Sequence, residues 1–260
     1  MAEEPKEDSF LLKIRRGWPQ QQYWEEFILR REPGKNVISA LMEIQRHPIN
    51  REGQRVAPVV WEQGCLEEVC GSCSMLINGR PRQACTALIE KLIEESGSTT
   101  IVLAPFSKFP LVRDLIVDRD QMFENLKKIH GWIDVENSLE RGFGPRISQQ
   151  KQEVMYQLSS CMTCGCCVEA CPQSNRRSKF VGPQIIAQVK LFNDNPTGRM
   201  MRGKRLEPLM GEGGLAECGN AQNCVEVCPK KIPLTNAIGA VGRDLTFYAF
   251  RKLFGLTDQE

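Results

Sequence analysis

Apolar residues follow two different spacings along the chain, and the change falls after about residue 110. Before it, short runs rich in apolar and aromatic residues predict β-strands. These runs are residues 9–16, 23–31, 56–61 and 99–105. Residues 36–47 instead have helical spacing, with Asn36 as a predicted N-cap and Pro48 as a stop signal.

A β-hairpin is predicted where Asn78-Gly79 separates two short runs, because this pair favours a type I′ turn. Several strands around one helix indicate a small mixed sheet. We therefore predict a first domain over residues 1–110 that contains this sheet.

After residue 110, apolar residues recur at helical spacing. The predicted helices are residues 114–133, 148–158, 182–192 and 234–254. Residues 140–148, with two glycines and a proline, are predicted to form a loop. The second domain, residues 111–260, should be nearly all α, which makes the whole chain an α+β protein. The absence of cysteine between Cys85 and Cys161 also favours two domains.

Composition and charge argue against several classes of protein. The 260 residues include 34 Lys and Arg against 32 Asp and Glu, a balance that argues against a nucleic-acid-binding protein. The first residues are acidic and lack the apolar stretch of an export signal. The sequence contains no run of about 18 apolar residues, so no membrane-spanning helix is predicted. Since twelve cysteines are too many for chance, we expect thiols that serve as metal ligands in a reducing compartment.

The first cysteine group has the spacing C-x4-C-x2-C with a distant fourth cysteine, which plant-type [2Fe–2S] ferredoxins use. Its members are Cys65, Cys70, Cys73 and Cys85. Gly64 and Gly71 would let the backbone turn close to the sulfides, and the hairpin returns the fourth cysteine to the site. A zinc site with four cysteine ligands is the alternative, although such sites usually combine two C-x2-C pairs. A Rieske centre is excluded because neither His47 nor His130 lies near a cysteine.

The second cysteine group contains the run C-x2-C-x2-C-x3-C-P of bacterial ferredoxins. This run consists of Cys161, Cys164, Cys167, Cys171 and Pro172, and it leaves Cys166 out of register. In two-cluster ferredoxins the fourth cysteine of each run binds the other cluster, so a second run is expected. The second run consists of Cys218, Cys224 and Cys228 before a proline, with Ala221 at the position of the missing cysteine.

Exchanging the fourth cysteines divides these residues between two sites. Four thiolates, from Cys161, Cys164, Cys167 and Cys228, would bind [4Fe–4S]. Three thiolates, from Cys171, Cys218 and Cys224, remain for the other site. Because a cube corner without a thiolate holds its iron weakly, we expect [3Fe–4S] there. A [4Fe–4S] cluster with an oxygen ligand at the open corner is the alternative. Cys166 is left over and is predicted to be a non-ligating, partly buried thiol.

Three cluster motifs in this order resemble the iron–sulfur subunits of succinate dehydrogenase and fumarate reductase. The resemblance rests on CGSCSMLINGRPRQAC, CMTCGCCVEACP and CVEVCP, and it covers almost the whole chain. It implies an N-terminal β-grasp [2Fe–2S] ferredoxin domain and a helical, bacterial-ferredoxin-like C-terminal domain. The implied role is electron transfer, with no catalytic residues on this chain, because the organic chemistry belongs to a flavin elsewhere.

The resemblance also implies two partners. One is a flavoprotein subunit with covalent FAD that oxidises succinate or reduces fumarate. The other is a membrane cytochrome b subunit, of the di-haem type, that exchanges electrons with quinone. The clusters would connect them in the order [2Fe–2S], [4Fe–4S], [3Fe–4S], on a chain peripheral to the cytoplasmic face of the cell membrane. A succinate:quinone oxidoreductase subunit is expected, and a physiological fumarate reductase subunit is the alternative, because the same clusters conduct electrons in both directions.

Two positions depart from the ubiquinone-reducing relatives. Those relatives have histidine after the first cysteine of the last run and tryptophan shortly after the proline of the first run. This chain has Gly219 and, after Pro172, the polar and basic residues QSNRR. We therefore expect [3Fe–4S] to pass electrons to haem b, with menaquinone as the quinone. Some relatives replace a [2Fe–2S] cysteine by aspartate, whereas this chain keeps Cys73.

Possible docking surfaces lie in the second half. Basic residues in segments 174–180, 200–206 and 229–233 are predicted either to face anionic lipid headgroups or to be solvated loop charge. An apolar stripe on the last helix either packs inward or contacts the membrane subunit; it consists of Phe247, Phe250, Leu253 and Phe254. The competing function classes are a subunit of another flavin-linked dehydrogenase and a structural zinc protein.

Overall fold

The computed structural model describes residues 8–134 and 146–255, which form two compact units. The first unit runs to Arg119 and also includes Met162–Ala170. The second unit contains the described residues of Asp120–Cys161 and those from Cys171 onward. The predicted division at residue 110 thus falls before the end of the first unit, and one cysteine segment expected in the second domain belongs to the first. Most of the predicted loop at 140–148 lies outside the described residues.

The first unit is built on a five-stranded mixed sheet with the strand order β2-β1-β5-β3-β4. Its strands are β1 (Ser9–Trp18), β2 (Gln21–Arg30), β3 (Ser74–Ile77), β4 (Arg80–Gln83) and β5 (Thr100–Ala104). β1 and β5 are parallel, and the other neighbours are antiparallel. The Asn78-Gly79 turn between β3 and β4 has φ +49° and +76°, as the predicted type I′ hairpin requires.

Helix α1 (Val37–Arg46) packs its buried residues against this sheet. Asn36 caps it as predicted, because its side chain accepts a hydrogen bond from Ser39 N at 2.8 Å. A second helix, α2 (Ile89–Ser96), was not predicted from the pattern and ends at Gly97 in the left-handed conformation. The mixed sheet with its helix on one face agrees with the expected β-grasp architecture.

The predicted strand at residues 56–61 is wrong, because this segment is irregular. Its backbone groups bind a buried charge cluster instead of a sheet ladder. Pro58 O accepts from Arg16 at 3.0 Å, and Val60 N donates to the Asp114 carboxylate at 2.9 Å. Arg16 and Asp114 are themselves paired, and both are about 2% exposed. An amide committed to a carboxylate cannot also pair with a neighbouring strand.

The predicted helix at residues 114–133 is too long at its start. A short hairpin, β6 (Leu111–Arg113) with β7 (Ile116–Val117), occupies this region, and helix α3 covers Asp120–Lys128. Asp114 has φ +47°, which a helix does not allow, and its carboxylate accepts from Gly17 N at 2.7 Å. The buried aspartate therefore holds a turn where the apolar spacing predicted a helix.

The second unit contains helices and no named strand in its described residues. Besides α3, its helices are α4 (Gln149–Ser159), α6 (Pro183–Asp194), α7 (Arg202–Leu206), α8 (Asn223–Glu226) and α9 (Leu234–Leu253). The core surrounds α6, whose Ile185, Ile186 and Val189 are fully buried. Helix α5 (Cys166–Ala170) lies in the first unit. Within residues 8–134 and 146–255, no helix combines the length and apolar character needed to cross a bilayer.

One basic residue of segment 200–206 does not reach the surface. Arg205 is fully buried and donates to His130 O at 3.0 Å and to the Asn193 side chain at 3.1 Å. Burial lowers the pKa of this guanidinium, and the oxygen acceptors around it satisfy its donors. Arg205 therefore stabilises the second unit and does not face lipid.

Candidate functional site

The loop between Gly64 and Cys73 encloses the sulfur of Cys65 in backbone amides. Glu67 N, Val69 N and Cys70 N donate to Cys65 Sγ at 3.4, 3.2 and 3.3 Å. Leu66 and Glu68 have φ +62° and +56°, a conformation that non-glycine residues rarely adopt. The loop accepts this strain while turning successive amides toward one sulfur. Amide hydrogen bonds to cysteine sulfur are among the features that tune iron–sulfur clusters, so this loop fits such a group.

Two glycines allow close approaches at this loop. A Cβ at Gly64 would lie 3.0 Å from Cys70 Sγ. Gly71 has φ +75°, and a Cβ there would lie 2.9 Å from the Cα of Cys164 and from Met162 O. Gly64 thus lies against a cysteine sulfur, whereas Gly71 lets the loop pack against the backbone of Met162 and Cys164.

The four cysteines of the first group have different environments. Cys70 is exposed, and hydrogen bonds from the Cys65 amide, then from the Ser72 hydroxyl and amide, lower its pKa to about 6. Burial raises the pKa of Cys73 to about 12, although a hydrogen bond from the backbone amide of the neighbouring Cys85 acts in the opposite direction. Cys73 and Cys85 therefore lie close together in the core, whereas Cys65 and Cys70 occupy the outer loop.

Arg119 fastens the loop to the rest of the first unit. Its guanidinium donates to Gly71 O at 2.8 Å and to Ser72 O at 3.3 Å, and it pairs with Glu62 at 2.6 Å. Its positive charge also contributes to the lowered pKa of Cys164, after the larger effect of a hydrogen bond with Cys166. No motif in the sequence marks Arg119, because its partners are mostly backbone carbonyls distant along the chain.

Helix α5 is anchored in the first unit through a buried carboxylate. Glu169 accepts from Ser107 N at 2.9 Å, from Ser107 Oγ at 2.6 Å and from Lys108 N at 3.1 Å. Gly165, with φ +88°, lies against Phe109, because a Cβ there would be 3.1 Å from that ring. These contacts explain why three cysteines of the second group fold with the first unit; they are Cys164, Cys166 and Cys167, all buried.

In the second unit, three cysteines line one pocket that is partly open to solvent. They are Cys171, Cys218 and Cys224, and Ala221 lines the same pocket. Burial raises the pKa of Cys224 to about 11, and the nearby Cys171 and Cys218 sulfurs act in the same direction. The structure therefore brings together the three cysteines that the exchange of runs predicts, with an alanine beside them.

The backbone around Ala221 is shaped by its neighbours. Asn220 and Gln222 have φ +51° and +64°, so left-handed residues flank the alanine on both sides. Gly219 lies against Gln173, whose amide would be 2.6 Å from a Cβ at that glycine. The pocket wall next to the cysteines is thus a tight turn.

The remaining cysteines are distributed over both units. Cys161 and Cys228 belong to the second unit, whereas Cys164 and Cys167 belong to the first. Cys228 Sγ accepts a hydrogen bond from Ile232 N at 3.4 Å. All twelve cysteines lie in the described part of the chain, and none forms a disulfide. Within residues 8–134 and 146–255, no three His, Cys, Asp or Glu side chains are arranged to hold a single metal ion.

Fold and cysteine sites together define a class: an iron–sulfur protein with a sheet-based [2Fe–2S] ferredoxin domain followed by a helical ferredoxin domain. Residues 11–124 match the family described as "2Fe-2S iron-sulfur cluster binding domain". Residues 157–232 match the family described as "4Fe-4S dicluster domain". The first match contains Cys65, Cys70, Cys73 and Cys85, and the second contains all eight other cysteines.

Full-length relatives narrow the class further. The succinate dehydrogenase iron–sulfur subunit of Bacillus subtilis is 54% identical over 233 residues, which are 90% of each chain. The fumarate reductase iron–sulfur subunit of Wolinella succinogenes is 32% identical over 187 residues, or 70% of this chain and 75% of the relative. This chain belongs to the family of succinate dehydrogenase and fumarate reductase iron–sulfur subunits, and its role is electron transfer.

A solved structure has the same fold. One chain of the apo form of the Mycobacterium smegmatis Sdh1 complex matches with a TM-score of 0.75 and 21% identity. The match covers 93% of this chain and 97% of the other. At this identity the similarity concerns the fold alone.

Proposed function

We propose that this chain holds three iron–sulfur clusters and passes electrons along them between a flavoprotein subunit with covalent FAD and a membrane cytochrome b subunit. [2Fe–2S] is assigned to Cys65, Cys70, Cys73 and Cys85. [4Fe–4S] is assigned to Cys161, Cys164, Cys167 and Cys228. [3Fe–4S] is assigned to Cys171, Cys218 and Cys224. When bound, each cluster takes up and releases single electrons.

The observation that carries this proposal is the pocket of the second unit. It gathers three cysteines from two distant segments and presents Ala221 beside them. Three thiolates match the three irons of [3Fe–4S], and the alanine leaves the fourth corner without a ligand. The alternative is an oxygen ligand at that corner. The Ala221 side chain supplies no oxygen, so that ligand would come from solvent or from another residue of the pocket, such as Asn220 or Gln222.

The first unit supports the [2Fe–2S] assignment in a different way. Its four cysteines come from one segment of the sheet domain, and three amides already donate to Cys65 Sγ. Amide hydrogen bonds to a ligating sulfur are among the features that tune iron–sulfur clusters. Arg119 holds the carbonyls of the same loop and so fixes the direction of its amides.

The direction and the quinone belong to the same proposal. Because the relative with 54% identity is a succinate dehydrogenase subunit, we assign succinate oxidation as the physiological direction. The electrons then leave through [3Fe–4S] to a di-haem cytochrome b and menaquinone. Gly219 and Pro172 line the pocket without a histidine or tryptophan that could bind a quinone headgroup beside the cluster. Fumarate reduction over the same chain remains the alternative direction.

Attachment to the membrane subunit is assigned to the apolar stripe of α9. Phe247, Phe250, Leu253 and Phe254 are 59 to 78% exposed, so they do not pack inward in the second unit. Exposed apolar side chains in a row mark an interaction surface. The chain would thus be peripheral, on the cytoplasmic face, where the exposed Arg176, Arg177 and Lys179 would meet anionic headgroups.

The stripe can be tested without disturbing the fold. In the double variant Phe250→Ser and Leu253→Ser, the chain should fold and keep its clusters, because both side chains are exposed, but should be released from the membrane fraction. Tyr156→Ser is a matched control, since Tyr156 is 73% exposed on α4. Retention of the double variant on washed membranes at the control level would remove α9 from the proposal.

The cluster assignment is tested on the full complex isolated without oxygen. Iron and acid-labile sulfide should both be present. EPR spectra should show an oxidised [3Fe–4S] signal, and reduction should reveal a rhombic [2Fe–2S] signal. A structural zinc protein would contain zinc, no sulfide and no EPR signal.

A further inference from the structure

Arg119 lies against the two residues that separate Cys70 from Cys73 in the loop of the first unit. Its guanidinium donates to Gly71 O at 2.8 Å and to Ser72 O at 3.3 Å. The Arg119 side chain is 16% exposed, so water surrounds this charge only in part. A positive charge is therefore held beside the loop that carries both cysteines.

The same loop is in contact with the second cysteine group. Gly71 packs so closely against Cys164 that an added Cβ would lie 2.9 Å from the Cys164 Cα and Cβ. The loop and the segment that contains Cys164 both belong to the first unit. Because Arg119 binds the carbonyl of Gly71, one residue separates its guanidinium from Cys164. The charge is thus close to cysteines of both groups.

Glu62 is the ion-pair partner of Arg119, with 2.6 Å between Arg119 Nη2 and Glu62 Oε2. The Glu62 side chain is 41% exposed, against 16% for Arg119. Water and salt screen the more exposed carboxylate more strongly, so it offsets only part of the positive charge near the loop.

We propose that the Arg119 charge raises the reduction potentials of both [2Fe–2S] and [4Fe–4S]. The inference rests on the ligand assignment proposed above, in which Cys70 and Cys73 bind [2Fe–2S] and Cys164 binds [4Fe–4S]. Reduction adds one negative charge to a cluster, and a nearby cation stabilises that charge. Arg119 would then act on electron transfer as well as on the stability of the loop.

The ion pair allows a test by sign, because its two members carry opposite charges. Arg119→Gln removes the cation and should make both clusters harder to reduce. Glu62→Gln removes the anion, leaves the cation without its partner and should make both clusters easier to reduce. A purely structural role predicts otherwise. Both variants break the same ion pair, so loosening of the loop would shift the potentials in the same direction.

The measurement is a redox titration of the full complex monitored by EPR. At a fixed potential, Arg119→Gln should lower the ratio of reduced to oxidised cluster about threefold for both [2Fe–2S] and [4Fe–4S]. Threefold corresponds to a shift of about 28 mV, because tenfold is 59 mV for one electron. Glu62→Gln should raise both ratios by a smaller factor, about twofold, because its charge is more strongly screened.

Two further variants separate charge from shape. Arg119→Lys keeps the positive charge, so both potentials should stay closer to wild type than in Arg119→Gln. Arg46→Gln is the matched control, because it removes the same charge at an exposed position in the last turn of α1. It should shift neither potential.

The outcomes distinguish this inference from the cluster assignment. If wild type shows no iron–sulfur signals, the proposed function fails. If wild type shows them and Arg119→Gln shifts only one potential or neither, the shared charge is wrong. Shifts of the same sign in Arg119→Gln and Glu62→Gln, or equal shifts in Arg119→Gln and Arg119→Lys, would also overturn it. Should Arg119→Gln fail to assemble, Glu62→Gln decides, since unchanged potentials there would contradict the inference.

Discussion

The first unit and the second unit each bring several cysteines together, but they do so in different ways. The first unit takes its four cysteines from one stretch, residues 65–85, and its loop between Gly64 and Cys73 surrounds Cys65 with backbone amides. The pocket draws Cys171 from one segment and Cys218 and Cys224 from another, and it presents an alanine beside them. The first group is local in sequence and has four cysteines, whereas the second is assembled by the tertiary fold and has three.

The two sites differ in the number of their cysteines and in how far apart these lie in the sequence, and both properties affect which type of cluster can bind. In the first unit, one loop and the β3–β4 hairpin that follows it supply all four cysteines. A pocket between distant segments depends on helix packing, and in the proposed assignment the residue at position 221 determines how many thiolates meet there. The loop should therefore bind its cluster independently of the pocket, and the pocket should be sensitive to one side chain.

The largest effect is expected from removal of a ligand in the pocket. Cys224→Ala should abolish the oxidised [3Fe–4S] signal while the reduced [2Fe–2S] signal persists, because the two sites share no residue. Cys166→Ala is the control, since this buried cysteine is not a ligand in the proposed assignment and all three clusters should remain. EPR and iron analysis of the complex measure both. Loss of the [2Fe–2S] signal in Cys224→Ala would show that the loop is not independent.

In the cluster-free chain, the cysteines of the two sites should differ in the reactivity of their thiols. Cys70 has a pKa of about 6, so above pH 6 it is mostly the reactive thiolate, and its alkylation should slow as the pH falls through 6. Cys224 has a pKa of about 11 and should stay protonated and slow at pH 7. Iodoacetamide labelling followed by peptide mass spectrometry should show Cys70 modified at least tenfold faster at pH 7. Equal rates, or a midpoint for Cys70 near the ordinary pH 8.5, would contradict this contrast.

A smaller effect is expected from replacement of Arg119, which hydrogen-bonds to carbonyl oxygens of the loop between Gly64 and Cys73. Arg119→Gln removes the ion pair with Glu62 and weakens two hydrogen bonds to carbonyls, at a cost of about 2 kcal/mol. The unfolding midpoint of the full chain should fall by about 4 °C or more. Arg46→Gln, at an exposed position in the last turn of α1, is the matched control and should change it little. The same midpoint for both variants would mean that Arg119 does not hold the loop.

Local signals predicted much of the fold correctly. The Asn78-Gly79 hairpin and the Asn36 cap depend on residues next to each other in sequence, and both have the expected geometry. The segments that were predicted wrongly depend on a distant partner. Residues 56–61 and the turn at Asp114 are determined by a buried ion pair with Arg16, and no spacing pattern reveals a contact between residues 98 positions apart.

The same distinction between local sequence signals and distant contacts applies to the candidate sites. Cysteine spacing predicted which three thiols meet in the second-unit pocket, because ligand runs are encoded in short motifs. It could not predict that α5 folds with the first unit, since Glu169 binds amides of the Ser107 loop. Nor could it predict Arg119, whose contacts arise only when strands and loops are assembled.

Position 221 is the most direct test of the account, because it decides between three and four thiolates in one pocket. The measurement is the EPR spectrum of the oxidised complex, wild type against Ala221→Cys. Wild type should show the [3Fe–4S] signal, and the variant should lose it as the added thiolate holds a fourth iron, with the reduced [2Fe–2S] signal unchanged. An undiminished [3Fe–4S] signal in Ala221→Cys would contradict the assignment of Cys171, Cys218 and Cys224 to an incomplete cube.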